Sequence, residues 1–101
     1  MDRDQEVLIG CALHAIAEER KRQIEKWGSQ DSNTLFAWMS ILMEEVGELA
    51  EAVNETEFMN AAHPERGGME AIQKEAVHVA AVAASIIEAC IKHLTPINDE
   101  G

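Results

Sequence analysis

Ahead of Thr95-Pro96, two stretches of this chain can interrupt a helix with force. The first is Trp27-Gly28 and the polar run behind it, where Gly28 can take a left-handed cap conformation and Asp31, Ser32 and Asn33 favour turns. The second is the connection over residues 58–68, with His63-Pro64 and Gly67-Gly68. With only two Pro and six Gly in 101 residues, the remainder is left to few and long elements. In residues 4–26, Leu8, Cys11, Ala12, Ala15 and Ile16 recur at three and four, which predicts a helix. A second helix is expected from Thr34 or Leu35 to Glu57, with Thr34 as N-cap. A third runs from Met69 to Leu94, about 39 Å at 1.5 Å per residue. Thr95-Pro96 stops it, and a loose tail follows from about residue 96. The expected class is all-α: three helices, with room for a short fourth, forming one antiparallel helical bundle as a single domain over residues 1–101.

Composition adds a size argument. Hydrophobic residues make up 47%, yet there are only two Trp, two Phe and no Tyr, so the core must be aliphatic and Ala-rich. A chain this short buries little surface alone. The opening of the second helix, Leu35 to Met43, is apolar nearly all round, as in helices covered on several sides. Oligomerisation, as a homodimer or homotetramer, is expected to complete the bundle.

The formal charge of −11 argues against binding a nucleic acid polymer, which relies on Lys and Arg to displace counterions. It leaves open a nucleotide whose phosphates arrive with Mg²⁺. Cys11 and Cys90 sit inside apolar helical patterns without metal-type spacing, so buried free thiols in a reducing cytoplasm are expected. The acidic start, Met-Asp-Arg-Asp-Gln-Glu, has the wrong charge for a signal peptide. No apolar run is read as reaching the ~18–20 residues of a membrane span. The expected location is therefore cytoplasmic, away from membranes.

The chemistry concentrates on the second and third helices. At about 100° per residue, Leu35, Met39, Leu42, Val46, Leu49 and Val53 make one broad apolar face. Glu44, Glu48, Glu51 and Glu55 lie opposite, with Glu45 on the apolar flank. Like charges at i, i+4 cost roughly 0.2–0.5 kcal/mol per pair, and no Lys or Arg on this helix relieves them. Glu51 and Glu55 read as a solvated edge. The third helix is apolar from Ala76 to Ile91 except at His78, Ser85 and Glu88, and Glu75 and His78 at i, i+3 point the same way. An antiparallel pairing brings Glu45 and Glu48 opposite Glu75 and His78. Carboxylates crowded there are costly unless a divalent cation joins them, and oxygen-rich ligation suits Mg²⁺ or Mn²⁺. On the first helix, Arg20, Lys21, Arg22 and Lys26 supply half of the eight basic residues and read mainly as a solvated, ion-paired end. Arg22 and Lys26 share a face on which a phosphate could bind. Trp27 either clamps the following loop to the core or stacks on a planar ligand.

One family has this pattern. Glu44-Glu45-Val46-Gly47-Glu48, then 26 residues, then Glu75-Ala76-Val77-His78 resembles the Glu-Glu-x-x-Glu…Glu-x-x-Asp signature of MazG-type all-α nucleoside triphosphate pyrophosphatases. The run from Glu18 through Trp27 to Gln30, Trp38 six residues ahead of Glu44, and Val-Ala-Ala-Val-Ala after His78 resemble the short phage- and cassette-borne members. The resemblance spans about residues 15–92. It implies metal-dependent cleavage of a (deoxy)nucleoside triphosphate to monophosphate and pyrophosphate, a house-cleaning of the nucleotide pool. It implies Glu45, Glu48 and Glu75 as metal ligands, with His78 at the fourth position, and Glu44 as the catalytic group that orients water or as a further ligand. It implies Trp27 and Trp38 beside the base and Lys26 at phosphate, with Mg²⁺ or Mn²⁺ as cofactor. His78 departs from the family's Asp; imidazole brings no negative charge and shifts preference toward Mn²⁺. A degenerate dimerisation or regulatory module is the second reading. A di-metal carboxylate bundle built on Glu75-x-x-His78 is the third.

Overall fold

The computed structural model describes residues 1–30, 32–58 and 61–94. Three helices account for most of them: α1 over Arg3–Trp27, α2 over Leu35–Glu57 and α3 over Met69–Leu94. The short extra helix is a single 3₁₀ turn over Pro64–Arg66, and no strand occurs among the described residues. The expected stop at Thr95-Pro96, the tail behind it and Asp31 lie outside the described residues.

The ends follow local chemistry. Asp2 Oδ1 accepts the Gln5 amide proton at 2.8 Å, and Asp4 and Glu6 sit in the first turn, where acids favour the helix dipole. Gly28, at φ 75°, closes α1 by donating its amide to the Ile24 carbonyl at 2.8 Å. Thr34 caps α2, its hydroxyl oxygen accepting from the Ala37 amide at 3.0 Å.

α3 is the central element, with α1 and α2 packed against it. α2 runs antiparallel to α3: Glu48 and Ala52 face Glu75 and Ala71, while Trp38 at the other end lies beside Ile86 and Cys90. The buried residues are Trp38, Ala52, Ala81, Val82 and Ser85, so the helices meet mostly through small side chains. Ser85 satisfies its hydroxyl by donating to the Ala81 carbonyl at 3.1 Å.

The register between α2 and α3 is fixed where they join. The Thr56 hydroxyl donates to the Ala52 carbonyl and accepts from the Gly68 amide, each at 2.7 Å. Gly67 lies so close that a Cβ there would stand 2.8 Å from Thr56 Oγ1 and 2.9 Å from backbone atoms of Glu55 and Thr56. Glu55 accepts the His63 amide proton at 2.7 Å, and Glu51 pairs with Arg66 at 3.0 Å. Glu51 is exposed, as a solvated edge requires, but the two acids are not idle: their carboxylates fasten the connection.

Three further expectations change. The broad apolar face of α2 is only partly covered; Leu35, Met39, Val46 and Val53 are exposed, Leu42 and Leu49 are half-buried, and the neighbouring strip of Trp38, Ile41, Glu45 and Ala52 is turned further inward. Trp38 is the largest side chain of that strip and is buried. Cys11 and Cys90 are free thiols but exposed: each lines an open cleft between helices, Cys11 beside Ala76 and Val77 and Cys90 beside Trp38, instead of lying in the core. α3 is long and apolar enough, by length and composition, to cross a membrane, with a mean hydropathy of 1.5 over 18 residues.

The result is a flat molecule, 57 × 38 × 22 Å. It exposes 7814 Å² of surface. A folded monomer of this mass usually exposes about 5,700 Å².

Candidate metal centre

Two i, i+3 pairs on antiparallel helices build the centre. Glu45 and Glu48 project from α2, Glu75 and His78 from α3, and each offers a ligand atom such that all four lie within 4.8 Å of one another. His78 Nδ1 stands 3.6 Å from Glu45 Oε2 and 3.5 Å from Glu75 Oε2. Both of those oxygens are shut off from solvent and have no hydrogen-bond partner. Buried carboxylate oxygens normally find a donor or a cation. Trans ligands of an octahedral Mg²⁺ lie about 4.2 Å apart, twice the 2.0–2.1 Å bond, so the set fits a divalent cation with slight contraction. Three carboxylates and one imidazole suit Mg²⁺ and more so Mn²⁺.

The electrostatics agree with crowding. Partial loss of hydration pushes the Glu48 carboxyl above its ordinary range, Glu45 and Glu75 push it the same way, and His78 pulls it back.

α1 contributes a residue that sequence reasoning did not single out. Glu19 Oε2 lies 3.9 Å from His78 Nε2, on the far side of the ring from Glu45 and Glu75. Its carboxylate accepts two bonds from Arg22, at 2.9 and 2.6 Å, and one from Gln23 at 3.3 Å. The Arg22 hydrogen bond holds the Glu19 carboxyl below its ordinary range despite partial burial, and the charges of Arg22 and His78 help. Nothing in the acid-rich run of residues 18–26 distinguishes Glu19 from Glu18 or Glu25. Only the packing of α1 on α3 does.

No protein-family model matches this chain, and no curated protein or solved structure matches it either.

The other sequence-selected residues divide. Trp38 is buried, while Trp27 is half exposed, with Lys26 Nζ 4.7 Å above its ring and Arg22 at 5.8 Å. Both tryptophans line one cleft of about 200 Å³, together with Gln23, Gln30 and Glu45. That cleft thus shares a wall, Glu45, with the acidic cluster. Gln30 holds a left-handed backbone, φ 56°, uncommon for a residue with a side chain. Lys26 is spent on Trp27 rather than on the cluster. Glu44 is exposed and stands outside the set of four. The basic end of α1 is ion-paired as expected: Arg20 with Glu88, Lys21 with Glu18, Arg22 with Glu19.

Proposed function

We propose that this chain is a divalent-metal-dependent nucleoside triphosphate pyrophosphohydrolase of MazG type, clearing nucleotides in the cytoplasm. One observation carries the reading: Glu45, Glu48, Glu75 and His78 converge within 4.8 Å beside a tryptophan cleft that shares Glu45. The cleft has room for one nucleobase between Trp27 and Trp38. Glu45, Glu48, Glu75 and His78 would hold Mg²⁺ or Mn²⁺. When bound, the cation supplies charge to the phosphate oxygens and eases deprotonation of water.

The chain's own residues do the rest. The half-exposed Trp27 face stacks on the base and fixes its distance from Glu45. A water oxygen bonds to the α-phosphorus, and the bond from that phosphorus to the oxygen bridging to the β-phosphorus breaks. Pyrophosphate leaves with the electron pair. The water's proton passes to Glu44, one residue from Glu45 and open to solvent, and from there to bulk water. Glu19 holds the outer edge of His78 and so fixes which ring nitrogen faces the carboxylates.

A second copy of the chain completes the fold in this reading. Phe36, Met39, Met43, Val46 and Val53, at alternating spacings of three and four with Ala50 between the last two, form an exposed seam on α2. The surface excess over an ordinary monomer, roughly 2,100 Å² by the area–mass relation, is what an obligate interface would cover.

The test is direct. Each NTP and dNTP is incubated with Mg²⁺ or Mn²⁺, and pyrophosphate is measured. Release from at least one nucleotide, lost about 100-fold or more in Glu48→Gln, is expected. No pyrophosphate from any nucleotide overturns the reading and leaves a regulatory helical module.

A further inference from the structure

The acidic cluster has a second neighbour. A cleft of about 470 Å³ opens between α2, the 3₁₀ turn and the start of α3, and Glu48 and Glu75 belong to its wall. It lies beyond the cluster from the tryptophan cleft, which reaches the cluster through Glu45. Its two basic residues are Arg66 and Lys74. Arg66 is already bound to Glu51 at 3.0 Å. Arg22, which lines the cleft on the α1 side, is bound twice to Glu19. Lys74 has no ion pair and no hydrogen bond among the described residues, and it also lines the cleft on the α1 side of His78. On α3 it precedes Glu75 by one residue and His78 by one turn. An unpaired lysine lining the same cleft as Glu48 and Glu75 offers positive charge to an anion that the carboxylates alone would repel.

We infer that Lys74 binds the terminal phosphates of a nucleoside triphosphate, the part that departs as pyrophosphate. This rests on the pyrophosphohydrolase reading and adds a direction to it. The base lies between the tryptophans, the α-phosphate over Glu45, Glu48, Glu75 and His78, and the β- and γ-phosphates run into the cleft bounded by Thr56's connection and α3. Lys74 stabilises the charge that accumulates on the leaving group as the bond to the α-phosphorus breaks.

The test uses the full chain and two probes, Mn²⁺ alone and inorganic tripolyphosphate in the presence of Mn²⁺, both followed by calorimetry. Lys74→Ala is expected to weaken tripolyphosphate binding about tenfold or more, the scale of one charge-assisted contact, and to leave Mn²⁺ affinity within about twofold. Lys74→Arg should keep most of the tripolyphosphate affinity. In the enzyme assay the same Ala variant should raise KM for triphosphates and narrow the preference for tri- over diphosphates. Unchanged tripolyphosphate affinity in Lys74→Ala overturns the inference, as does an equal loss of Mn²⁺ and tripolyphosphate binding. A wild-type chain that binds tripolyphosphate through Lys74 yet releases no pyrophosphate supports the phosphate site and overturns the catalytic reading. Failure of the one is thereby separable from failure of the other.

Discussion

The imidazole of His78 turns its Nε2 toward Glu19 Oε2, 3.9 Å away on a helix that contributes nothing else to the acidic cluster. The opposite nitrogen faces Glu45 and Glu75. Groups that orient a ligand from behind typically set metal affinity within a range of about 10–100-fold. Glu19→Ala should therefore weaken Mn²⁺ binding by about tenfold, measured by electron paramagnetic resonance titration. Glu18→Ala, on the same helix but paired with Lys21, should leave it unchanged. Equal affinity in Glu19→Ala and wild type would show that the ring is held by its own helix alone.

In the proposed metal centre His78 would set metal preference. His78→Asp supplies a hard oxygen and a negative charge where an imidazole stood. Mg²⁺ affinity should rise about tenfold relative to wild type while the advantage of Mn²⁺ over Mg²⁺ shrinks. His78→Ala should weaken both. Competition calorimetry with the two cations reads the ratio, and a ratio unaffected by either substitution would remove His78 from the ligand set.

Glu48 and Glu19 respond to pH in opposite senses. The Glu48 carboxyl is raised in the fold, chiefly by lost hydration and by its acidic neighbours. The folded chain thus holds that proton more tightly than the unfolded chain does. The stability this gives is complete below the unfolded carboxylate pKa and is lost as pH climbs through the raised value. Glu19, lowered chiefly by Arg22, contributes stability above the unfolded pKa and loses it as pH falls through the lowered value. Urea unfolding of the metal-free chain should show Glu48→Gln flattening the decline on the alkaline side of the carboxylate range. Glu19→Gln should flatten the decline on the acid side. Divalent-cation affinity of the wild type should increase with pH across the Glu48 window, because binding releases its proton.

Gly67 has no room for a methyl group. A Cβ would lie 2.8–2.9 Å from Thr56 and from the Glu55 backbone, and backbone cannot yield as a flexible side chain does. Gly67→Ala should cost about 1–3 kcal/mol, the usual scale of overpacking, measured by chemical denaturation. Thr56→Val should also destabilise, since it strands the Gly68 amide and the packing stays the same size. Stability equal to wild type in both would mean that the connection does not set the helix register.

The seam on α2 predicts the assembly state. Met43→Glu, at the middle of Phe36, Met39, Met43 and Val46, should convert an oligomer to monomer in light scattering coupled to gel filtration. An unaltered mass, or a wild type already monomeric, would leave the seam to another partner.

Much of this was legible in the residues. Thr34 and Gly28 marked their caps by chemistry alone, and the two i, i+3 pairs declared a shared point once antiparallel helices were assumed. Three things were not legible. The face that α2 turns inward holds Trp38 and lies beside the longer row of smaller apolar residues that a helical period alone favours. Glu51 and Glu55 looked idle because their partners, Arg66 and the His63 amide, belong to a connection whose path no helical period describes. Glu19 was hidden among equivalent acids because the placing of one helix on another is a long-range fact.

The Thr56 knot has one more effect. It fastens α2 to α3 at a single end, while three carboxylates at mid-length repel one another across the same pair. A hairpin fastened at one end and loaded at its centre behaves as a sprung clip. At its other end Trp38 rests against Ile86 and Cys90. A bound cation would remove that repulsion at mid-length, where Glu45 also walls the tryptophan cleft.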